Sequence, residues 1–343
     1  MKKFRNGLIV GKFSPLHKGH EFLINRGLDE CETLYIFSYY TPEFAGCETH
    51  KREYWLKSLF PTAQIFVIND EFVQTRFNIS LPKFGASNLE ERRFVGFLWL
   101  NLVNKPLDAV FTSENYGDGY AVEMSTYFAN YTDFPPVQHV LVDLDRTQIP
   151  ISGTNLRDNI HNLKEYLSLI VYASFIKRIC FLGGESSGKT TIAKLLAIEF
   201  ETKFVAEYGR TLTEEQANQF VFEDLLKIAK THISHEELLA QKSNRYLFVD
   251  TSPLTTLLYS QHLFGKADPE LIWLSHRRYD VTFLCAPDFT FVQDGSREGN
   301  GFREKQHEWY LQILAERNIS YSLLQGNLAE RIKQVKKILK EFE

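Results

Sequence analysis

Ile179-Cys180-Phe181-Leu182-Gly183-Gly184-Glu185-Ser186-Ser187-Gly188-Lys189-Thr190 decides the fold of the second half of this 343-residue chain. A short apolar run enters a complete GxxxxGK[ST] loop, and helical spacing follows it. That order of elements is the context a phosphate-cradling P-loop requires. Its glycines let consecutive backbone N–H groups wrap a β-phosphate, Lys189 reaches β- and γ-oxygens, and the Thr190 hydroxyl ligates Mg²⁺. Gly183, Gly184, Glu185, Ser186, Ser187, Gly188, Lys189, Thr190 and the adjoining Thr191 are the ATP-binding candidates here.

Downstream of the loop, residues 203–206, 246–250, 281–285 and 321–324 read as strands separated by long helices. Glu207 and Arg210 lie just past the first of these, where an acceptor hydroxyl would approach a γ-phosphate; Glu207 is the candidate base or substrate ligand. Asp250 closes the second strand, as a Walker-B-like carboxylate holding the Mg²⁺ shell with Thr190 would. Strand-end capping is the alternative role for both acids. Residues 293–303 are Gly-rich and carry Arg297 and Arg303, so they read either as a lid over the transferring phosphoryl group or as an ordinary exposed loop. Residues 328–342 read as a Lys/Glu-rich amphipathic helix packed on this domain. His232 and His235 stand beside Glu236 and Glu237 without the HExxH order, and a solvated polar helix face is expected for them.

Upstream, the apolar run 7–10 enters a second corner, Gly11-Lys12-Phe13-Ser14-Pro15-Leu16-His17-Lys18-Gly19-His20. The i, i+3 spacing puts His17 and His20 on one face of a first helical turn, where backbone donors and two imidazoles meet a polyphosphate. Further strands are expected at 33–39, 64–68, 109–112 and 137–142, with helices at 51–60 and 89–104. Near the end of this half, Ile151-Ser152-Gly153-Thr154-Asn155-Leu156-Arg157 offers hydroxyl, backbone N–H and guanidinium donors for phosphate. A plain N-cap with a surface arginine is the alternative. The expected fold is therefore α/β: two doubly wound parallel-sheet domains, residues 1–172 and 176–343, the first Rossmann-like and the second a P-loop domain.

The paired motifs of the first half resemble those of the nucleotidylyltransferase superfamily, in which an acceptor phosphate displaces pyrophosphate from ATP in line. The resemblance implies that Gly11, Lys12, Phe13, His17 and His20 contact ATP and its transition state. It implies likewise that Ser152, Thr154 and Arg157 hold the leaving pyrophosphate, with no protein nucleophile needed.

An HxGH domain ending in Pro150-Ile151-Ser152-Gly153-Thr154 and followed promptly by the P-loop resembles the NadR-type bifunctional proteins over nearly the whole chain. Supporting stretches are Ser113-Glu114-Asn115-Tyr116-Gly117, Val142-Asp143-Leu144-Asp145-Arg146 and Glu207-Tyr208-Gly209-Arg210; Tyr116 and Arg210 join Arg297 and Arg303 as lid or substrate candidates. The family implies two Mg²⁺-dependent reactions with ATP as co-substrate. Nicotinamide riboside gives nicotinamide mononucleotide in the second domain, and the mononucleotide gives NAD in the first. It also implies a link to a riboside transporter, although no residue shows a docking surface. Some members begin with a helix-turn-helix repressor domain; here about six residues precede the first apolar run, so no DNA binding is expected. The rival readings are a fused phosphopantetheine adenylyltransferase and dephospho-coenzyme A kinase, disfavoured by spacing and the SSGKT loop, and a nucleotide sensor without turnover. A riboflavin kinase fused to FAD synthetase would not supply a P-loop.

The net charge of -4 gives no basic footprint for nucleic acid or an anionic membrane. Cys31, Cys47, Cys180 and Cys285 are scattered and form no CxxC pair, so a reducing cytosol and no zinc or disulfide framework are expected. No apolar run approaches a membrane span. A cytoplasmic enzyme is expected, and the sequence, silent on oligomeric state, admits a homo-oligomer. Residues 71–99 match no pattern that assigns them individually; Trp55, Trp99, Phe77 and Phe84 are expected in the core rather than on a nicotinamide ring.

Overall fold

The computed structural model describes all residues except 41–42, 84, 115–116, 146, 216–220, 293–298 and 343, and excludes the side chains of 213–215 and 342. The chain divides into two compact units, Met1–Ser174 and Phe175–Glu343. Tyr116 and Arg297 of the expected site residues lie outside the description, as do Asn115, Arg146 and Phe84.

In the first unit the strands are β1 (Phe4–Gly11), β2 (Cys31–Tyr39), β3 (Gln64–Ile68), β4 (Ala109–Thr112) and β5 (Gln138–Leu141), in the order β3-β2-β1-β4-β5. Every ladder is parallel. β1 starts three residues before its apolar run because backbone pairing does not depend on apolar side chains: Phe4 pairs Cys31 and Asn6 pairs Thr33. The strand order reverses between β1 and β4, which opens a crevice at their carboxyl ends. Leu8, Phe37, Val110 and Trp99 fill one face of the sheet. Across residues 71–99, to which the sequence assigns no individual roles, the chain forms the helix Asp70–Phe77, a loop, and the helix Asn88–Leu102 expected at 89–104. Trp55 and Trp99 are wholly buried, their indole N–H groups donating to Ser174 Oγ at 2.9 Å and Lys105 O at 2.7 Å. Phe77 packs against the same core.

The second unit repeats the layered logic with β6 (Lys177–Gly183), β7 (Lys203–Val205), β8 (Tyr246–Asp250), β9 (Val281–Cys285) and β10 (Ser322–Leu324), ordered β10-β9-β6-β8-β7 and parallel throughout. β6, β8 and β9 are almost continuously buried, as expected of parallel strands covered on both faces. Phe181, Phe248 and Phe283 stack through the middle, each contributing about 1.5–3 kcal/mol of burial. β6 therefore delivers the P-loop from the centre of the sheet.

The final helix, Leu328–Leu339, covers this core as the pattern suggests, with one departure. Arg331 is wholly buried and donates to Ser187 O at 2.8 Å, Ala286 O at 3.0 Å and Gly326 O at 2.9 Å, and pairs with Asp288. A charge this deeply buried persists because carbonyls and a carboxylate satisfy it. Its consequence is a brace on the P-loop backbone. Among the described residues no helix is long and apolar enough to cross a membrane.

Candidate functional site

In the first unit, His17 is the N-cap of the helix Lys18–Glu30. Its Nδ1 accepts from His20 N–H at 3.3 Å, and His20 Nδ1 accepts from His17 N–H at 3.4 Å, a reciprocal capping box built from two imidazoles. The rings stack with centroids 3.6 Å apart. Because each Nδ1 supplies a lone pair to the backbone, the neutral rings carry their hydrogens on Nε2, the donor form a phosphate oxygen requires. Sequence spacing placed the two histidines together; the capping bonds add the tautomer.

The second motif lies 140 or so residues downstream and comes back to the first through Arg157, whose Nη1 donates to Ser14 O at 2.6 Å and whose Nη2 donates to Thr154 Oγ1 at 3.0 Å. Ser152 is the N-cap of Gly153–Asp158 and accepts from Asn155 N–H at 3.3 Å. Ser152 is thus a cap, as the alternative reading has it, while Arg157 is drawn into the cleft rather than left on the surface. Gly11, Lys12, Phe13, His17, His20, Ser152, Thr154 and Arg157 all line one cleft of about 540 Å³.

Lys12 and Arg157 share this cleft. Burial lowers the pKa of Lys12, nearby Arg157 adds to the effect, and Glu91 opposes it. Lys12 Nζ rests 4.2 Å above the Tyr40 ring, Tyr40 stacks on Phe44 at 4.8 Å, and Arg157 lies 4.0 Å above Phe44. The arrangement suits an anion, which would relieve the repulsion between the two cations. Asn88, Glu91 and Arg92 also line the cleft from the helix expected at 89–104, to whose individual residues the sequence assigns no role, together with Tyr40, Glu114 and Asp143. Glu114 and Asp143 belong to the supporting stretches of the sequence, whereas Asn88, Glu91 and Arg92 carry no motif and reach the cleft only through the packing of their helix.

Gly117 starts the helix Gly117–Ala129 that follows β4. A Cβ there would stand 1.9 Å from His139 Nε2 and 2.5 Å from Thr112 Oγ1. His139 cannot readily yield, since its Nδ1 is bonded to Asp118 at 2.8 Å and its Nε2 to Thr112 Oγ1 at 2.9 Å. Gly117→Ala is expected to destabilise this unit by about 2 kcal/mol, lowering its melting temperature by roughly 4–8 °C in a thermal scan. An unchanged transition would show that His139 moves freely.

In the second unit the P-loop closes on itself. Lys189 Nζ donates to Gly184 O at 2.8 Å, and Ser187 Oγ to the same carbonyl at 2.7 Å. Gly188 caps the helix Lys189–Glu199 at φ +85°, a conformation that glycine adopts without a Cβ penalty. Phe289 also packs against it, where a Cβ would meet the ring at 2.5 Å. Thr190 Oγ1 donates to Asp250 Oδ2 at 2.5 Å. Asp250 Oδ1 is buried without a hydrogen-bond partner. A hydroxyl and a carboxylate with one unused oxygen fit a hydrated Mg²⁺ held jointly with phosphates.

Glu207 keeps part of its surface accessible, yet burial and then the neighbouring Asp250 raise its pKa, while Lys189 and Arg210 pull it back. Burial likewise raises Asp250, against Lys189, the Thr190 hydroxyl and Arg210. The structure thus gathers Lys189, Thr190, Glu207, Arg210 and Asp250. Glu185 accepts from Tyr259 O–H at 2.9 Å, and its N–H donates to Gln306 Oε1 at 2.8 Å, which ties the loop to two helices. Ser186 Oγ accepts from Val292 N–H at 3.0 Å, and Thr191 is exposed.

Two expectations fail here. Arg303 stands in the first turn of the helix Asn300–Glu316, not in a loop; it is buried, donating to Phe289 O at 2.7 Å and to Asn300 Oδ1. Its backbone carbonyl crowds Gly184, so it packs behind the P-loop. His232 is buried as well, rather than solvated, because its helix, Phe222–Ala240, turns that face toward β7 and β8. His235 instead meets Tyr208 edge-on at 5.6 Å. Among the described residues no three His, Cys, Asp or Glu gather as a metal cage.

The family model described as an AAA domain matches residues 178–331. The chain is 28% identical to the "Trifunctional NAD biosynthesis/regulator protein NadR" of Escherichia coli K12, over 92% of its own length and 77% of that protein. The Salmonella typhimurium LT2 protein of the same name matches equally, at 28% over the same shares. Among solved structures, NadR in complex with NAD and AMP-PNP superposes with a TM-score of 0.67 at 19% identity, covering 99% of this chain and 97% of that one. NadR in complex with NR gives 0.67 at 20%, covering 99% and 96%. The shared fold extends through both units, and with the sequence match it makes this chain a homologue of the NadR proteins.

Proposed function

We propose that the chain carries two consecutive steps of NAD salvage. The second unit phosphorylates nicotinamide riboside with ATP, giving nicotinamide mononucleotide and ADP. The first unit transfers the adenylyl group of a second ATP to that mononucleotide, giving NAD and pyrophosphate. The observation that carries the reading is the return of Arg157 to Ser14, which joins the histidine pair, Lys12 and the Ser152–Thr154 hydroxyls in one cleft on the chain that also bears a P-loop. The NAD, AMP-PNP and NR complexes of the structural relatives supply ligands of the matching chemistry.

In the kinase step Lys189 and the P-loop amides hold the phosphates, Glu207 takes the acceptor hydroxyl's proton, and Arg210 offsets the carboxylates. Thr190 and Asp250 would hold Mg²⁺, which would supply Lewis-acid neutralisation of the phosphates. In the adenylyl step His17 and His20 donate to oxygens whose charge grows as the α-phosphorus is attacked, and Arg157, Ser152 and Thr154 hold pyrophosphate. The riboside is supplied by a membrane carrier and the enzyme works in the cytoplasm.

Purified protein given Mg²⁺-ATP with riboside, mononucleotide or phosphopantetheine in separate reactions tests both assignments. The riboside is expected to yield ADP, and the mononucleotide NAD plus pyrophosphate. An inert mononucleotide alongside adenylylated phosphopantetheine would replace the substrate assignment while leaving the phosphate sites standing.

A further inference from the structure

The ladder between β7 and β8 ends at Val205 and Val249, although Asp250 still pairs with Phe181 of β6 on its other side. Glu207 and Asp250 lie just past that point, so their separation depends on something else. Thr251, immediately after Asp250, has φ +69°, a left-handed conformation that a β-branched residue strongly resists. Thr251 N–H donates to Phe181 O at 3.0 Å, and Cys180 Sγ–H donates to Thr251 O at 3.4 Å.

The His232 ring reaches the same place from the helix Phe222–Ala240. It is buried, and it hydrogen-bonds the backbone of Thr251 and of Ala206, the residue before Glu207. Those bonds favour the protonated ring, so the partners are carbonyls and the imidazole is the donor. Burial outweighs them, with His235 and Arg277 adding to it, and brings the His232 pKa down to about 4. A neutral ring has one N–H. Nε2 has no hydrogen-bond partner and lies 3.7 Å from Glu236 Oε1, so the hydrogen sits on Nδ1, toward the two carbonyls. Glu236 itself is engaged by Arg277 Nε at 2.9 Å and Tyr279 O–H at 2.8 Å, which leaves it no call on His232 as a proton relay.

We infer that His232 is a positioning residue for phosphoryl transfer: its Nδ1–H clamps the chain before Glu207 and after Asp250, fixing the two carboxylates relative to each other and holding Thr251 in its strained conformation. The inference rests on the kinase reading of this unit.

The test is phosphoryl transfer by the full chain with His232→Asn, His232→Gln and His232→Leu. Asparagine keeps an N–H near the Nδ1 position, glutamine moves it toward Nε2, and leucine has none. The Gln and Leu variants are expected to lose ~10–100-fold in kcat with KM for ATP changed less than about threefold, since a small displacement of catalytic groups is costly, whereas Asn stays within about threefold of wild type. In a Thr251→Gly background, where the strain is gone, the Gln variant's loss is expected to shrink by about tenfold. Equal losses for Asn and Gln, or a loss untouched by Thr251→Gly, would overturn the clamp. ADP binding with and without Mg²⁺, followed by a fluorescent ADP analogue, gives a readout independent of the acceptor. The Mg²⁺-dependent gain in affinity is expected to fall in Gln and Leu but not in Asn, and an identical gain in all four proteins refutes the inference. Wild type that phosphorylates no nucleoside would sink the kinase reading, while the ADP measurement still decides on His232.

Discussion

Lys189→Ala is expected to reduce nucleoside phosphorylation by on the order of 10³-fold, with adenylyl transfer by the same preparation unchanged. The size follows from two roles. Bound to Gly184 O at 2.8 Å, the ammonium is already held over the loop, and exchanging that carbonyl for a phosphate oxygen requires little reorganisation. It is also the main countercharge for buried Asp250 and opposes the burial of Glu207. Removing it takes away a phosphate ligand and leaves two neighbouring carboxylates leaning further toward the neutral form, in which Glu207 is a poorer base and Asp250 a poorer Mg²⁺ ligand. Lys189→Arg restores the charge but not the compact ammonium in the loop, so little recovery is expected. ADP release measured with nicotinamide riboside, with pyrophosphate release from nicotinamide mononucleotide as the internal reference, checks both. A Lys189→Ala enzyme within tenfold of wild type would remove the P-loop from the mechanism.

The P-loop and the histidine pair could be read from the chain because their chemistry depends on neighbours within one turn. Backbone donors, an ammonium and a hydroxyl must follow one another at fixed spacing, and two imidazoles must share a helix face. The alternating strands were legible for a similar reason, since parallel strands covered on both faces leave apolar runs. What escaped the sequence is held by long-range contacts. Arg331 looks like one more cation of a Lys/Glu-rich helix, yet it bonds Ser187, 144 residues away. His232 has polar neighbours at i+4, so pattern alone placed it in water; the burial of its face is set by β7 and β8. Arg303 was misread because Gly-rich composition extends past the loop into the helix that begins at Asn300. Glu91 and Arg92 reach the first cleft on a helix whose own sequence carries no phosphate signature. In each case the local pattern is compatible with several environments, and tertiary packing chooses among them.

His17→Asn is expected to lower adenylyl transfer by roughly 10²-fold while leaving the melting temperature of the first unit within about 2 °C, because one phosphate donor is lost and the helix cap is kept. The substitution is chosen to separate two roles that one side chain fills. His17 Nδ1 accepts from His20 N–H, and an asparagine side-chain oxygen takes the same bond at an N-cap. The imidazole's Nε2–H has no counterpart in asparagine at that reach, and the stacking with His20 at 3.6 Å is lost with it. His17→Ala, by contrast, removes cap and donor together and should add about 1 kcal/mol of destabilisation to the same catalytic loss. The comparison is read from pyrophosphate release at saturating mononucleotide and from thermal unfolding of both variants. If Asn matched wild type in turnover while Ala did not, His17 would serve the helix alone, and the developing charge would have to be met by His20 and Lys12. If both variants lost turnover equally and melted differently, the cap and the donor would be independent functions of one residue, as the bonded Nδ1 and the hydrogen on Nε2 require.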